Sequence, residues 1–435
     1  VAVQTLAFWR DPHRYLALCR KRCGRRFTVH ALGMAPLVLL SDPREIEAMV
    51  KAPADVLHPG AGAAVIAPLV GEGSFMLAEE QDHLRGRRAS LVGFHQTRVD
   101  AHHEQIVRIV EKAVDSWPRD TVFALHPHLR ALTLRVILET TFGTEFPRED
   151  ELHARLLRML AVNASLALQE PELRRIPPWR SLWTGFTEER KEVHRIIDGL
   201  LQEVADGLIP GGPPTHALLK ASDADASGTQ VRDDLMSLLL AGHETTASEL
   251  AWAFQLLGHS PAVAHRLTLS LEADDERYLT ATVQEVLRHR PVFLFTIPRT
   301  VNAPYELGGH RYLPPTQLAG CIHLMHHDPV LYEEPERFNP QRFYERGPPP
   351  HLWLPWGGGR KRCPGHHLAM FEMSAVLRHA LTTLQIEAAA RHPETARWRS
   401  VIVTPGQGSR IVLRSKRPTA VSFQQNYILP AGAHS

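Results

Sequence analysis

Apolar residues recur at helical spacing through most of this 435-residue chain, and alternate as in strands only over short stretches. Residues 26–41 read as a hairpin, with Arg26 to Leu32 and Pro36 to Leu40 as strands and Gly33 in the turn. Ser41-Asp42-Pro43 then opens a helix, with proline suited to its first turn. From about 100 to 205 the pattern is mainly helical, and 207–228, rich in Gly, Pro, Ser and Asp, reads as a surface loop or linker. Thr229 to Leu257 reads as one long helix, stopped by Gly258 and Pro261 and apolar on both faces, as a central buried helix would be. Further helices reach about 289. A short β-like region spans 296–325, with Gly308-Gly309 as a turn. A Pro-rich coil covers 335–356, a helix starts near 365, and 400–414 forms strands around Pro405-Gly406. Residues 417–435 look like a loose tail, and no internal repeat is visible. The expected fold class is mainly α, with small β-sheets.

Composition narrows the function only a little. A net charge of +2 gives no reason to expect nucleic acid or an anionic membrane as partner. No run approaches the roughly 18 apolar residues of a membrane span, and the first residues lack the features of a signal peptide. The four cysteines, Cys19, Cys23, Cys321 and Cys363, are too few for a disulfide framework and form no C-x-x-C pair. A reducing, cytoplasmic compartment is expected.

One cysteine stands out by its surroundings. Trp356-Gly357-Gly358-Gly359-Arg360-Lys361-Arg362-Cys363-Pro364-Gly365 places Cys363 after a glycine run and three basic residues, ahead of a helix. Glycines let a backbone approach a flat ligand closely. A helix N-terminus and nearby cations predict a lowered thiol pKa. A buried core thiol beside a solvated basic loop is the commoner explanation of a lone cysteine. A phosphate loop is excluded, because no Gly-Lys-Ser/Thr follows.

Three further segments carry candidate chemistry. Ala241-Gly242-His243-Glu244-Thr245-Thr246 sets an acid and an alcohol side by side on the long helix. A zinc-protease H-E-x-x-H fails there, because Ala247 holds the second histidine position. Glu285 and Arg288 share a helix face, where a surface ion pair is the plain alternative. His83 and Arg87, also on one face, make either a solvated basic patch or a site for anionic groups.

The Cys363 segment resembles the haem-binding loop of the cytochrome P-450 family, Phe-x-x-Gly-x-Arg-x-Cys-x-Gly, with Gly359, Cys363 and Gly365 in place. Trp356 stands for the family's Phe. Lys361 stands for its Arg or His, reaching a propionate as a point charge rather than a fork. The other segments follow in family order, so that the resemblance spans residues 83–365. It implies a single domain over residues 1–416, with 417–435 as a tail. It implies haem b held by the Cys363 thiolate. Ala241 and Gly242 would lie against the cofactor, Thr245 and Glu244 would serve oxygen activation and proton relay, and His83, Arg87 and Arg299 would reach the propionates. Glu285, Arg288 and Arg342 would form a structural triad, with Arg337 the rival third member. Val292, Phe293 and Leu294 would line the substrate pocket, completed by parts of 55–75 and 160–190.

The intact Glu244-Thr245 pair favours an oxygen-dependent mono-oxygenase acting on a lipophilic molecule such as a terpenoid, steroid, fatty acid or polyketide. Its electrons would come from NAD(P)H through a ferredoxin and reductase. Peroxide-using or rearranging relatives, and a haem-binding sensor without turnover, are the alternatives. A monomer without a membrane anchor is expected.

Overall fold

The computed structural model describes residues 2–30, 36–59, 65–78, 80–94, 102–144, 146–164, 171–221, 228–399 and 401–416. It is built around the helix Gly228–Gly258, whose length follows from uninterrupted helix-forming sequence. From Val231 to Leu257 nearly every side chain of this helix is buried, including Trp252 and Phe254. It packs most extensively on the helix His126–Phe142, and also on Glu276–His289 and His366–Thr383. Buried polar groups on such a helix need partners, and these stitch it to the rest of the fold. Glu249 Oε1 accepts the Val292 amide at 2.9 Å, and Ser248 Oγ lies 3.2 Å from His126 Nε2.

The sheets are peripheral. Strands β1 (Arg26–Val29) and β2 (Leu37–Leu40) pair antiparallel, Arg26 opposite Leu40, as the hairpin reading requires; its Gly33 lies outside the described residues. They join β3 (Leu57–His58), β5 (Arg299–Val301) and β8 (Gln317–Gly320) in the order β1-β2-β8-β5-β3. Asp42 Oδ1 caps the following helix, Pro43–Lys51, by accepting the Arg44 amide at 3.0 Å. Strand β4 (Val122–Ala124) joins β9 (Leu384–Ala388) and β12 (Arg410–Ser415); β6 (Tyr305–Leu307) pairs β7 (His310–Tyr312), and β10 (Ala396–Arg399) pairs β11 (Ile402–Pro405).

Two sequence expectations are corrected. The supposed linker at 207–228 contains a helix, Pro213–Ala221, whose prolines occupy a first turn where a missing N–H costs nothing. The β-like region at 296–325 ends in a short helix, Ile322–His326. The tail, 417–435, lies outside the described residues. Among them no helix is long and apolar enough to cross a membrane, and all four cysteines are free thiols.

Candidate functional site

Within the otherwise buried stretch 233–257 of the long helix, only Ala241, Gly242 and Thr245 are accessible. They share one face, and Thr245 Oγ1 donates to the Ala241 carbonyl at 2.6 Å. An opening therefore reaches the core helix at one place, lined by two small residues and a hydroxyl. Gly242 has a second reason to be glycine: a Cβ there would stand 3.0 Å from the Ile137 side chain, so its absence also permits close helix packing.

Glu244 points elsewhere. It is buried, its Oε2 accepts from Arg130 Nε at 2.9 Å, and its Oε1 lies 2.8 Å from Arg399 Nε. The Arg399 contact is an ion pair whose angle is too poor for a hydrogen bond. The acid and the alcohol are sequence neighbours on different faces, one clamped by two guanidiniums and the other at the opening. No local pattern marks Arg130 or Arg399, which come from a distant helix and from β10.

The Cys363 loop is shaped by its glycines. Gly359 has φ +65°, and a Cβ there would lie 2.4 Å from the Val50 carbonyl oxygen. A Cβ on Gly365, at the N-cap of the helix His366–Thr383, would meet no atom within 4 Å, so open space adjoins the cysteine loop. The Cys363 amide donates to the Trp356 carbonyl at 2.9 Å. Burial pushes the Cys363 thiol pKa up, against the Gly365 amide, Arg87 and Arg362, which pull it down. The expected lowering is therefore overturned: desolvation outweighs the helix terminus and the cations. Iron bound at Cys363 would deprotonate it, since a coordinating thiol loses its proton outright.

Cationic groups converge beside this loop. Lys361 Nζ lies 3.0 Å from His83 Nδ1, which also hydrogen-bonds the Phe75 carbonyl at 2.8 Å. Burial, with Lys361 and Arg87 adding, lowers the His83 pKa. Arg299, buried on β5, donates to the Val50 carbonyl at 3.2 Å. Burial, then Arg360, lowers its pKa. Arg87 and Arg299 make no ion pair among the described residues. A buried guanidinium such as Arg299 without a counter-charge is costly, and with half-buried Arg87 beside it this donor set suits a ligand carrying two carboxylates. With the thiol, the small-residue opening and the space beside Gly365, the residues present fit haem.

Behind the loop, Arg288 and Glu285 are both fully buried. Arg288 Nε donates to Glu285 Oε2 at 2.8 Å and Nη2 to Oε1 at 3.0 Å, and Arg342 Nε donates to the same Oε1 at 3.1 Å. Arg337, the rival, pairs instead with exposed Glu334 at 2.9 Å. Val292 and Leu294 are packed in the core. Phe293 and Phe295 hold the partly accessible positions, and Phe295 stacks on Trp398. Phe293 is thus the partly accessible one of the three residues expected to line the substrate pocket. Parts of the other two expected lining segments, 60–64 and 165–170, lie outside the described residues.

Comparison with known proteins agrees with this geometry. The sequence profile of the cytochrome P450 family matches residues 2–411. "Putative cytochrome P450 135B1" of Mycobacterium tuberculosis is 32% identical over 437 residues, covering 97% of this chain and 92% of that protein. "Putative cytochrome P450 138" of Mycobacterium bovis is 31% identical over 427 residues, covering 95% and 94%. The solved structure of a retinoic acid bound cyanobacterial CYP120A1 shares the fold, with a TM-score of 0.82 at 20% identity over 95% of this chain and 96% of that one. A single mainly helical architecture, a cysteine-bearing loop that fits haem b and these matches together place the chain in the cytochrome P450 family of haem-thiolate mono-oxygenases.

Proposed function

We propose that this P450 inserts one atom of dioxygen into a lipophilic small molecule, with electrons passed from NAD(P)H through a reductase and a ferredoxin. The observation that carries the reading is the Thr245 hydroxyl at the one accessible place on the buried stretch 233–257 of the long helix, with a carboxylate at the preceding residue. Haem b, when bound through Cys363, supplies the redox chemistry that activates oxygen. His83, Arg87, Lys361 and Arg299 would hold its two propionates. Thr245 Oγ1 donates to the Ala241 carbonyl and keeps lone pairs for a proton arriving from the opening. Glu244 relays protons only by leaving at least one of its guanidiniums, so Arg130 and Arg399 set how readily it moves. Phe293 and Phe295 offer aromatic surface to the substrate, which supports an apolar one. Exposed Arg360 and Arg362 beside the cysteine loop suit an acidic redox partner.

A substrate is first selected by its shift of the haem spin state. Thr245→Ala should then keep NAD(P)H consumption while product per NAD(P)H falls several-fold and peroxide is released instead. Full coupling in Thr245→Ala, or turnover by peroxide with no need of dioxygen and donor, would overturn the proposal.

A further inference from the structure

The segment before the His83 helix is fastened to the long helix by three polar contacts from successive turns. Asp233 Oδ2 accepts the Gly73 amide at 3.1 Å, Asp234 Oδ1 accepts the Phe75 amide at 2.6 Å, and the hydroxyls of Ser74 and Ser237 are bonded to each other. Both carboxylates are buried. The approach is close enough to demand glycine on both sides. A Cβ on Gly71, at φ +89°, would overlap the Asp233 carboxyl, and one on Gly86 would stand 2.4 Å from the Phe75 Cβ. Phe75 is thereby held at both ends of its own residue: its N–H donates to Asp234 and its carbonyl accepts from His83 Nδ1 at 2.8 Å. These two groups flank one Cα, so together they restrict the φ and ψ of Phe75 and with them the direction of the carbonyl. That carbonyl sets the plane of the His83 ring and the nitrogen that faces away from it.

We propose that Asp234 is a positioning residue that orients the His83 imidazole through the main chain of Phe75. Its functional consequence rests on the reading of His83 as a propionate donor, which, with Nδ1–H on the Phe75 carbonyl, requires the imidazolium form so that Nε2–H can face the carboxylate. Burying a carboxyl here is costly: desolvation pushes the Asp234 pKa up to about 7, against the Phe75 amide, with Asp233 raising it further and Arg85 lowering it. Either protonation state presents an acceptor oxygen to the amide, so the link does not depend on charge. Asparagine at 234 keeps that acceptor and valine removes it.

The test uses the holoenzyme with haem b and measures haem loss to a scavenging apoglobin. A parallel arm is reconstituted with haem dimethyl ester, which lacks both propionate charges. Asp234→Val should speed loss of haem b about tenfold, the low end of what losing an outer-shell partner costs at a metal site. Asp234→Asn should stay within roughly twofold of native by the same standard. Ser237→Ala, which loosens the same segment without touching Phe75, should also stay near native. In a His83→Phe background Asp234→Val should add nothing. With nitrogen-15-labelled histidine, the His83 Nδ1–H resonance should shift in Asp234→Val and hold in Asp234→Asn. Should Asp234→Val not fold, Asp234→Gln, which displaces the acceptor by one methylene, takes its place. An equal acceleration in the His83→Phe background, or an unmoved Nδ1–H resonance, would overturn the proposal. If His83→Phe loses haem b no faster than native, only the propionate reading fails, and the Nδ1–H resonance still decides the link to Asp234.

Discussion

Replacing Glu285 by alanine should be among the most damaging single changes remote from the substrate opening. Its carboxylate accepts four hydrogen bonds, two from Arg288, one from Arg342 and one from the Asn339 amide at 2.9 Å. Arg288 is fully buried and would keep only its bonds to the His326 and Pro335 carbonyls. Breaking a buried pair by removing one partner costs about 3–5 kcal/mol, because the remaining charge is left uncompensated. Arg342→Ala leaves Glu285 still paired with Arg288, so it should cost about 1–3 kcal/mol. Arg337→Ala removes a pair whose side chains are 65% and 62% exposed, and should cost under about 1 kcal/mol. Thermal midpoints of the holoprotein rank the three, at roughly 1 °C per kcal/mol for a domain of this size. Because Trp353 Nε1 donates to the Gln284 carbonyl, next to Glu285, haem retention should fall with stability in Glu285→Ala. A midpoint for Arg337→Ala as low as that for Glu285→Ala would refute the reasoning, and so would a Glu285→Ala variant within about 1 kcal/mol of native.

Two further outcomes are expected. His13, His289, His323 and His327 form a cluster of contacting rings, with His289 and His323 buried and His13 and His327 half-buried. Burial, reinforced by Arg290, Arg288 and the neighbouring imidazoles, holds the first, second and fourth well below the ordinary 6.5 and takes His323 down to about 3. The unfolded chain binds more protons than the folded one between these values. The stability is therefore complete above about pH 6.5 and drains as pH falls, by up to about 1.4 kcal/mol per pH unit per histidine. His323→Gln should flatten the fall in thermal midpoint between pH 7 and pH 5, and an unchanged slope would count against this. Reversing Arg360 and Arg362 to glutamate should slow reduction by an acidic ferredoxin about tenfold at low salt, with the difference shrinking as salt rises. An unchanged rate of first reduction would dismiss the docking role.

Much of the architecture is legible in the sequence because it is local. The long helix, the β1–β2 hairpin and the Asp42 cap follow from periodicity and capping chemistry within a few residues of each position. The helix Pro213–Ala221 is not legible in the same way, because prolines that occupy its first turn also read as a breaker. The site divides along the same line. Cys363, Thr245 and the Glu285-Arg288 pair sit in short patterns, whereas the partners of Glu244 come from residues 130 and 399. The direction of the thiol pKa is illegible in the sequence for a related reason: cations and a helix terminus are visible there, but the burial that outweighs them is a property of the folded chain. Likewise which residues between Val292 and Phe295 stay accessible depends on which side of the segment meets the core.

The most direct measurement is the absorption spectrum of the reduced, carbon monoxide-bound protein in four single-cysteine variants. Native protein, Cys19→Ala, Cys23→Ala and Cys321→Ala should all show the long-wavelength Soret band of a thiolate-ligated haem. Cys363→Ala should lose it, because no other described cysteine lies in the haem-fitting loop. Persistence of that band in Cys363→Ala, or its disappearance in Cys321→Ala alone, would contradict the assignment of Cys363 as the iron ligand.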